Sequence, residues 1–315
     1  METISVGLWA TNLEIPAVSL SAWLDFIEAR MAELQQAGFR LLMLPEFACA
    51  QWLSFAPSSL SMTQQVPWLA GIAREACARL RPLSARYNVA LLPGTMPFAL
   101  SSGASDPQYV NRAWLFLPDG RLFGQDKLRL TPSEQNPEAW HLLSGSTVSI
   151  LEWEGLRVAI VICLDIEFTS LWARLGKLDL DLILVPAKTD KLSGYNRVFG
   201  CAAARAIELQ TVVCAVGAVG SPLGHPAFDT VMGGASVYVP CDAAVEPSGI
   251  VASLGAHMAD GGLSPILYAR DLPVGQCRRI RHGAAEAEVW PSSWPADHVT
   301  ILDPAKSLSE NFRDR

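Results

Sequence analysis

The 315-residue sequence predicts an α/β fold: a mixed β-sheet covered by helices and built as one domain. Three observations point there. Short apolar runs of strand length alternate with longer segments of helical spacing from the N-terminus onward. Two antiparallel pairs interrupt that alternation, one of them around Asp119-Gly120, a strong hairpin signal. Half of the residues are hydrophobic and only 17% are charged, enough apolar matter for a large core.

The elements follow in order. Ile4–Trp9 reads as a first strand. Residues 21–37 place Trp23, Phe26, Ile27, Met31 and Leu34 at helical spacing and stop at Gly38. Residues 40–44 form a second buried strand running into Pro45-Glu46-Phe47. A helix over 66–87 and a strand over 89–93 come next. Residues 111–118 and 121–126 flank the hairpin turn. A strand over 156–162 is followed by a helix near 170–175, a strand over 181–186, an alanine-rich helix over 196–210 and a strand over 211–219. Residues 235–239 and 249–253 suggest a further antiparallel pair. The domain is expected over 1–275. Residues 276–315 are expected to be a C-terminal extension, available to pack on a partner subunit, with weak periodicity from Trp290 onward.

Composition excludes several classes of function. The net charge of −7 is spread without long runs of one sign, so no polybasic face for nucleic acid is expected. The one basic cluster, Arg278-Arg279-Ile280-Arg281-His282, reads as solvated surface. Seven cysteines, an odd number without a CxxC pair, read as reduced intracellular thiols. The five histidines lack HxH or HxxxH spacing, so no metal site is expected. Neither a leader peptide nor a membrane span is apparent, and the expectation is a cytoplasmic protein.

Four ionisable residues share one kind of placement. Cys163 ends the apolar run 156–162, where a rigid strand gives way to a polar turn. Glu46 ends 41–44, Lys127 ends 122–126, and Glu134 lies seven residues beyond Lys127. Taken singly, each has an ordinary explanation: a buried thiol is usually a small hydrophobe, and a charge after a strand is usually solvated. Together they could converge at one sheet edge. A thiol near its free pKa of about 8.5 needs a base or a cation beside it to act as a nucleophile. Glu46 could take the proton, and Lys127 could face a developing oxyanion.

These motifs resemble those of the nitrilase superfamily of carbon–nitrogen hydrolases. Leu44-Pro45-Glu46-Phe47, then Asp126-Lys127-Leu128-Arg129-Leu130-Thr131-Pro132, then Ile162-Cys163-Leu164-Asp165-Ile166-Glu167-Phe168 stand in family order. Residues 194–198 and 204–208 are also similar, and the resemblance covers roughly residues 4–270. It implies a four-layer αββα sandwich, assembled as a homodimer or larger homo-oligomer. It also implies a Glu46-Lys127-Cys163 triad without metal or cofactor, and hydrolysis of an amide or carbamoyl C–N bond in a small molecule. Glu134 is the candidate second glutamate, with Glu138 as the alternative. The Leu164 N–H is a candidate oxyanion donor, while Trp140 and Tyr195 are candidates for the pocket wall. Asp165 is expected to brace its turn.

The sequence also departs from the family. True nitrilases show Cys-Trp-Glu where this chain has Cys163-Leu164-Asp165, which looks like the amidase and carbamoylase branches. The usual Phe-Pro-Glu is Phe168-Thr169-Ser170, and the usual Glu-Asn pair is Glu208-Leu209. The rival readings are a nitrilase acting on C≡N and a catalytically silent binding or scaffold member. Loops 53–63, 97–110, 188–197 and 220–232 are expected to shape the pocket.

Overall fold

The structure is a computed structural model and describes residues 1–100, 107–221, 231–256, 264–287 and 297–300. The first sheet takes β1 (Ile4–Trp9), β2 (Leu41–Leu44), β3 (Ala90–Pro93), β4 (Thr95–Ala99), β5 (Tyr109–Phe116), β6 (Leu122–Asp126) and β7 (Leu142–Leu143). The second takes β8 (Leu151–Trp153), β9 (Leu156–Ile160), β10 (Leu182–Ala187), β11 (Val212–Gly217), β12 (Ala235–Tyr238) and β13 (Ile250–Ser253). The chain then returns to the first sheet as β14 (Ile266–Leu272), antiparallel to β1. Strand order is β14-β1-β2-β3-β5-β4 in one sheet, with β6 and β7 pairing β5, and β13-β12-β11-β10-β9-β8 in the other. Both sheets are mixed: β1-β2-β3 and β9-β10-β11 are parallel, and their outer pairs mostly antiparallel.

Side-chain alternation along the strands makes the four layers. Leu41 and Met43 of β2 face the second sheet in a core shared with Val158, Leu184 and Val213. Leu42 and Leu44 face the other way, under α1 (Leu20–Gln36) and α2 (Met62–Tyr87). A short helix, α3 (Pro132–Gln135), follows β6. On the far side, α4 (Thr169–Leu175) and α5 (Leu192–Leu209) cover the second sheet through Trp172, Leu175, Val198, Phe199 and Ala202. The architecture is helix, sheet, sheet, helix. Among the described residues no helix is long and apolar enough to cross a membrane.

The strands and helices read from the apolar pattern occur within a few residues of their expected bounds. The helix expected to start at residue 66 starts at Met62, because the Ser61/Gln64 capping box opens it a turn earlier and tolerates Pro67 near its start. Strands β4, β7, β8 and β14 carry too little periodic signal of their own and were not expected.

The C-terminal boundary needs correcting. Residue 275 falls inside α6 (Val274–Arg279), which packs on the domain through the buried side chains of Val274 and Cys277. Arg278 and Arg281 are not a solvated cluster. Both bind Asp181, which also accepts the Arg157 N–H; Arg278 Nη2 and Arg281 Nη2 lie 2.7 and 2.8 Å from it. Burial opposes the Asp181 charge, but the Arg278 guanidinium and its other donors hold the carboxyl below its usual range. Most of the remaining extension, residues 288–296 and 301–315, lies outside the described residues.

Candidate active site

Three strand ends deliver the reactive groups to one place. Strand β2 stops at Leu44, and Pro45 leads into Glu46. Phe47 then takes a left-handed φ of 53°, its N–H held by Thr95 Oγ1 at 3.0 Å. Gly94 makes that approach possible: a Cβ there would stand 2.1 Å from the Pro45 carbonyl oxygen. Lys127 follows β6. Its N–H donates to the Asn111 carbonyl at 2.9 Å, and its own carbonyl accepts from Gly145 at 2.8 Å.

Cys163 follows β9 through Val161-Ile162 and adopts a left-handed φ of 48°, rare for a side chain with a Cβ. A one-turn 3-10 segment, Cys163–Glu167, begins there. Strain of this kind gathers at functional sites. Asp165 fastens the turn to the lysine loop, accepting N–H bonds from Leu128 at 2.9 Å and Arg129 at 2.7 Å. Burial pushes its carboxyl up to about 6 despite those two donors.

The side chains meet in a buried cluster. Lys127 Nζ lies 2.8 Å from Glu46 Oε1 and 2.8 Å from Glu134 Oε2, and all three residues are buried. Asn111 Nδ2 bridges the same two carboxylates at 2.9 and 3.1 Å. The second oxygen of Glu46 accepts the Lys188 N–H at 3.0 Å. Glu134 is fixed by its own capping box, accepting from Thr131 N at 2.8 Å. The Cys163 thiol donates to the Lys188 carbonyl at 3.4 Å and lies close enough to Glu46 for the two groups to influence one another's ionisation.

Electrostatics follow from this packing. Burial is the main cause raising the Glu46 carboxyl, with the Glu134 charge adding to it and the Lys127 ammonium opposing. Burial works against the Lys127 ammonium, yet Glu46 and Glu134 hold it above the usual lysine range. Burial and then the Glu46 charge raise the Cys163 thiol well above its usual value. The sulfur is therefore a protonated thiol beside a carboxylate of unusual basicity.

Two adjoining lobes open onto the cluster. One, of about 320 Å³, is lined by Glu46, Lys127 and Glu134 with Phe47, Met62 and Trp140 as apolar walls. The other, of about 210 Å³, holds Cys163 and Leu164 with residues of α5's N-terminal turn. Thr131, Lys188 and Asp190 border both.

Of the residues expected from sequence, Glu46, Lys127, Cys163 and Glu134 are brought together, and Leu164 and Trp140 line the lobes. Trp140 is wedged against Phe47 with ring centroids 4.7 Å apart. Two expectations need correcting. Glu138 is exposed and lines neither lobe, because the chain turns outward after α3; the Thr131-x-x-Glu134 capping box was the signal for the other glutamate. Tyr195 lines neither lobe either. It is stacked on Phe199 at 4.1 Å within the core, and burial raises its hydroxyl to about 12. Of the loops expected at the pocket, 53–63 contributes Met62 and 188–197 contributes several residues, while 101–106 and 222–230 lie outside the described residues. Asn111 and Lys188 were not anticipated.

Comparison with known proteins bears on the family and the fold. The family model described as "Carbon-nitrogen hydrolase" matches residues 10–270. An omega-amidase, YafV of Yersinia enterocolitica, is 30% identical over 215 residues, covering 67% of this chain and 74% of its own. YafV of Escherichia coli K12 is 28% identical over 260 residues, covering 80% and 87%. A probable hydrolase of Bacillus subtilis, YhcX, is 29% identical over 209 residues, but the match spans only 39% of that protein's length. Among solved structures, a carbon–nitrogen hydrolase from Helicobacter pylori G27 superposes with a TM-score of 0.68 at 16% identity, covering 89% of this chain and 92% of that one. An amidase variant from Nesterenkonia sp. AN1 in complex with butyramide gives 0.60 at 21% identity, covering 89% and 95%. With a family model spanning most of its length and the nitrilase-like layers beneath it, the chain belongs to the carbon–nitrogen hydrolase family of the nitrilase superfamily and is a hydrolase of C–N bonds.

Proposed function

We propose that this hydrolase cleaves the amide bond of a small molecule through a thioester on Cys163. One observation carries the reading: a buried ammonium held 2.8 Å from each of two carboxylates, beside a thiol on a left-handed elbow, facing a cavity. Because Cys163 stays protonated at rest, Glu46 takes its proton as sulfur bonds to the amide carbon. The carbonyl π pair moves onto oxygen, where Lys127 Nζ and the Leu164 N–H stabilise it. Glu46 returns the proton to nitrogen, the C–N bond breaks and ammonia or an amine leaves. Water then adds to the thioester, giving its proton to Glu46, and the C–S bond breaks to release acid and thiol. Glu134 and Asn111 keep Lys127 and Glu46 in place throughout. The YafV relatives are named omega-amidases, which makes a terminal amide the first substrate to try.

The test is ammonia release across terminal amides, carbamoyl amino acids, aliphatic amides and nitriles, with Cys163→Ala as control. Turnover of at least one amide is expected, lost in the control by more than about three orders of magnitude. Undiminished turnover in Cys163→Ala would end the scheme.

The pH profile has a worked sign. Protonating Glu46 removes the base, and burial holds that carboxyl above its usual range, so kcat/KM falls as pH drops through a midpoint above about 4.3. Lys127 is held above its usual range, so no alkaline limb arises from it below about pH 10.4. A midpoint at the ordinary carboxylate value would contradict the assignment.

A further inference from the structure

Asn111 bonds to three residues of the reactive cluster. It lies in β5 and is fully buried. Its main-chain carbonyl accepts the Lys127 N–H at 2.9 Å, and its Nδ2 bridges Glu46 Oε1 at 2.9 Å and Glu134 Oε1 at 3.1 Å. Those two carboxylates fix which way the amide faces, because its oxygen in the same place would oppose both. The other end of the amide is left over: among the described residues, Asn111 Oδ1 has no hydrogen-bond donor. A buried acceptor without a donor costs stability, so packing alone does not account for an amide at this position.

Each oxygen of a carboxylate offers two lone pairs. Glu46 Oε1 uses both, on Lys127 Nζ at 2.8 Å and Asn111 Nδ2 at 2.9 Å. Oε2 uses one, on the Lys188 N–H at 3.0 Å. The open lone pair is thus on the oxygen held by Lys188, the residue whose carbonyl also receives the Cys163 thiol. Resting on the reading of the site as an amidase, we propose that Asn111 is a positioning residue that selects the working oxygen of the base. By filling Oε1, it leaves Oε2 as the atom of Glu46 that takes the proton of Cys163. The S–H bond breaks with its electron pair passing to the new S–C bond, and the proton bonds to Oε2. The same oxygen returns it to the departing nitrogen, while Oε1 stays paired with Lys127. Without Nδ2, Oε1 regains an open lone pair, and a proton taken there from solvent leaves the base neutral and idle.

The sign of the pH effect follows. Nδ2 donates to the charged form of Glu46, so its removal favours the neutral form and moves the acid limb to higher pH. The titratable groups around Glu46 are Lys127 at the end of β6, Glu134 on α3, and Cys163 and Asp165 in the turn after β9. From the end of β10, Lys188 meets Glu46 through its main chain and Asp190 through its ammonium. Glu134 keeps Lys127, Thr131 N and Thr131 Oγ1 on its other oxygen, so Glu46 bears the larger loss.

Asn111→Leu and Asn111→Ala both delete the donor, the second without adding bulk. Two rates are followed across pH: ammonia release from a hydrolysed amide, and alkylation of Cys163 by iodoacetamide, read by peptide mass. In the variants kcat should fall about ten- to a hundredfold. KM should change little, since Asn111 lines neither lobe. The acid-limb midpoint of both rates should rise by about one to two pH units. A merely structural amide would lower the active fraction and leave the midpoint where the parent has it, and that result overturns the proposal. If Asn111→Leu does not fold, Asn111→Ala decides by the same midpoint. Amide turnover with an unmoved midpoint removes this proposal and leaves the amidase reading intact. A raised alkylation midpoint in a protein that hydrolyses no amide does the reverse.

Discussion

Lys127→Met is expected to cost both activity and fold. The substitution keeps the stem's volume and deletes the charge, leaving Glu46 and Glu134 facing one another across Asn111 Nδ2 in a buried site. Two carboxylates so placed cannot both stay ionised, and stripping one partner from a buried ionic cluster typically costs about 3–5 kcal/mol. Losing the oxyanion donor should lower kcat/KM by at least about two to three orders of magnitude. The double variant Lys127→Met/Glu134→Gln separates the two losses. It removes one of the stranded charges, so denaturant midpoints should recover while turnover does not. A single variant as stable as the parent would remove the structural role, and one within about tenfold of the parent's turnover would remove the catalytic one.

Glu46→Gln should divide turnover from thiol acidity. As general base, Glu46 is expected to account for about two to four orders of magnitude in rate. Its negative charge also raises the neighbouring thiol, after burial the next largest influence on Cys163. Replacing it by a neutral amide removes that repulsion and leaves Lys127 facing the sulfur with one carboxylate fewer. Thiolate absorbance should therefore appear at lower pH in the variant even as ammonia release falls and the acid limb of the profile disappears. A pocket that had merely collapsed would lose turnover without this downward movement of the thiol. Ammonia release undiminished in Glu46→Gln, with its acid limb still in place, would remove Glu46 from the base role.

The reactive corner was legible because buried parallel strands are short apolar runs, and whatever ends them sits at the sheet's edge. Glu46, Lys127 and Cys163 each follow such a run. Asn111 was not legible: between Val110 and Arg112 in a hairpin strand, an amide reads as the wetted face, and only the second sheet turns that face inward. Tyr195 could have been placed correctly. It shares the spacing of Val198, Phe199 and Ala202, the buried stripe of α5, so periodicity opposed a pocket role. Strand β14 escaped because Arg270 and Asp271 interrupt its apolar pattern, and its pairing to β1 joins residues over two hundred and fifty positions apart. Lys188 lies just past an apolar run like the others, but the lysine's importance rests on what reaches its main chain from β2 and β9, which no local pattern carries.

The arginine grip on Asp181 has a consequence for where this protein can be shortened. The family-matched stretch stops at residue 270, before either Arg278 or Arg281. A gene fragment ending there would strip that carboxylate of its two cationic partners and leave it walled in with the single Arg157 N–H. A fragment running past residue 281 is therefore expected to outlast one trimmed at residue 270, which would sacrifice a rivet at the start of β10 in the second sheet.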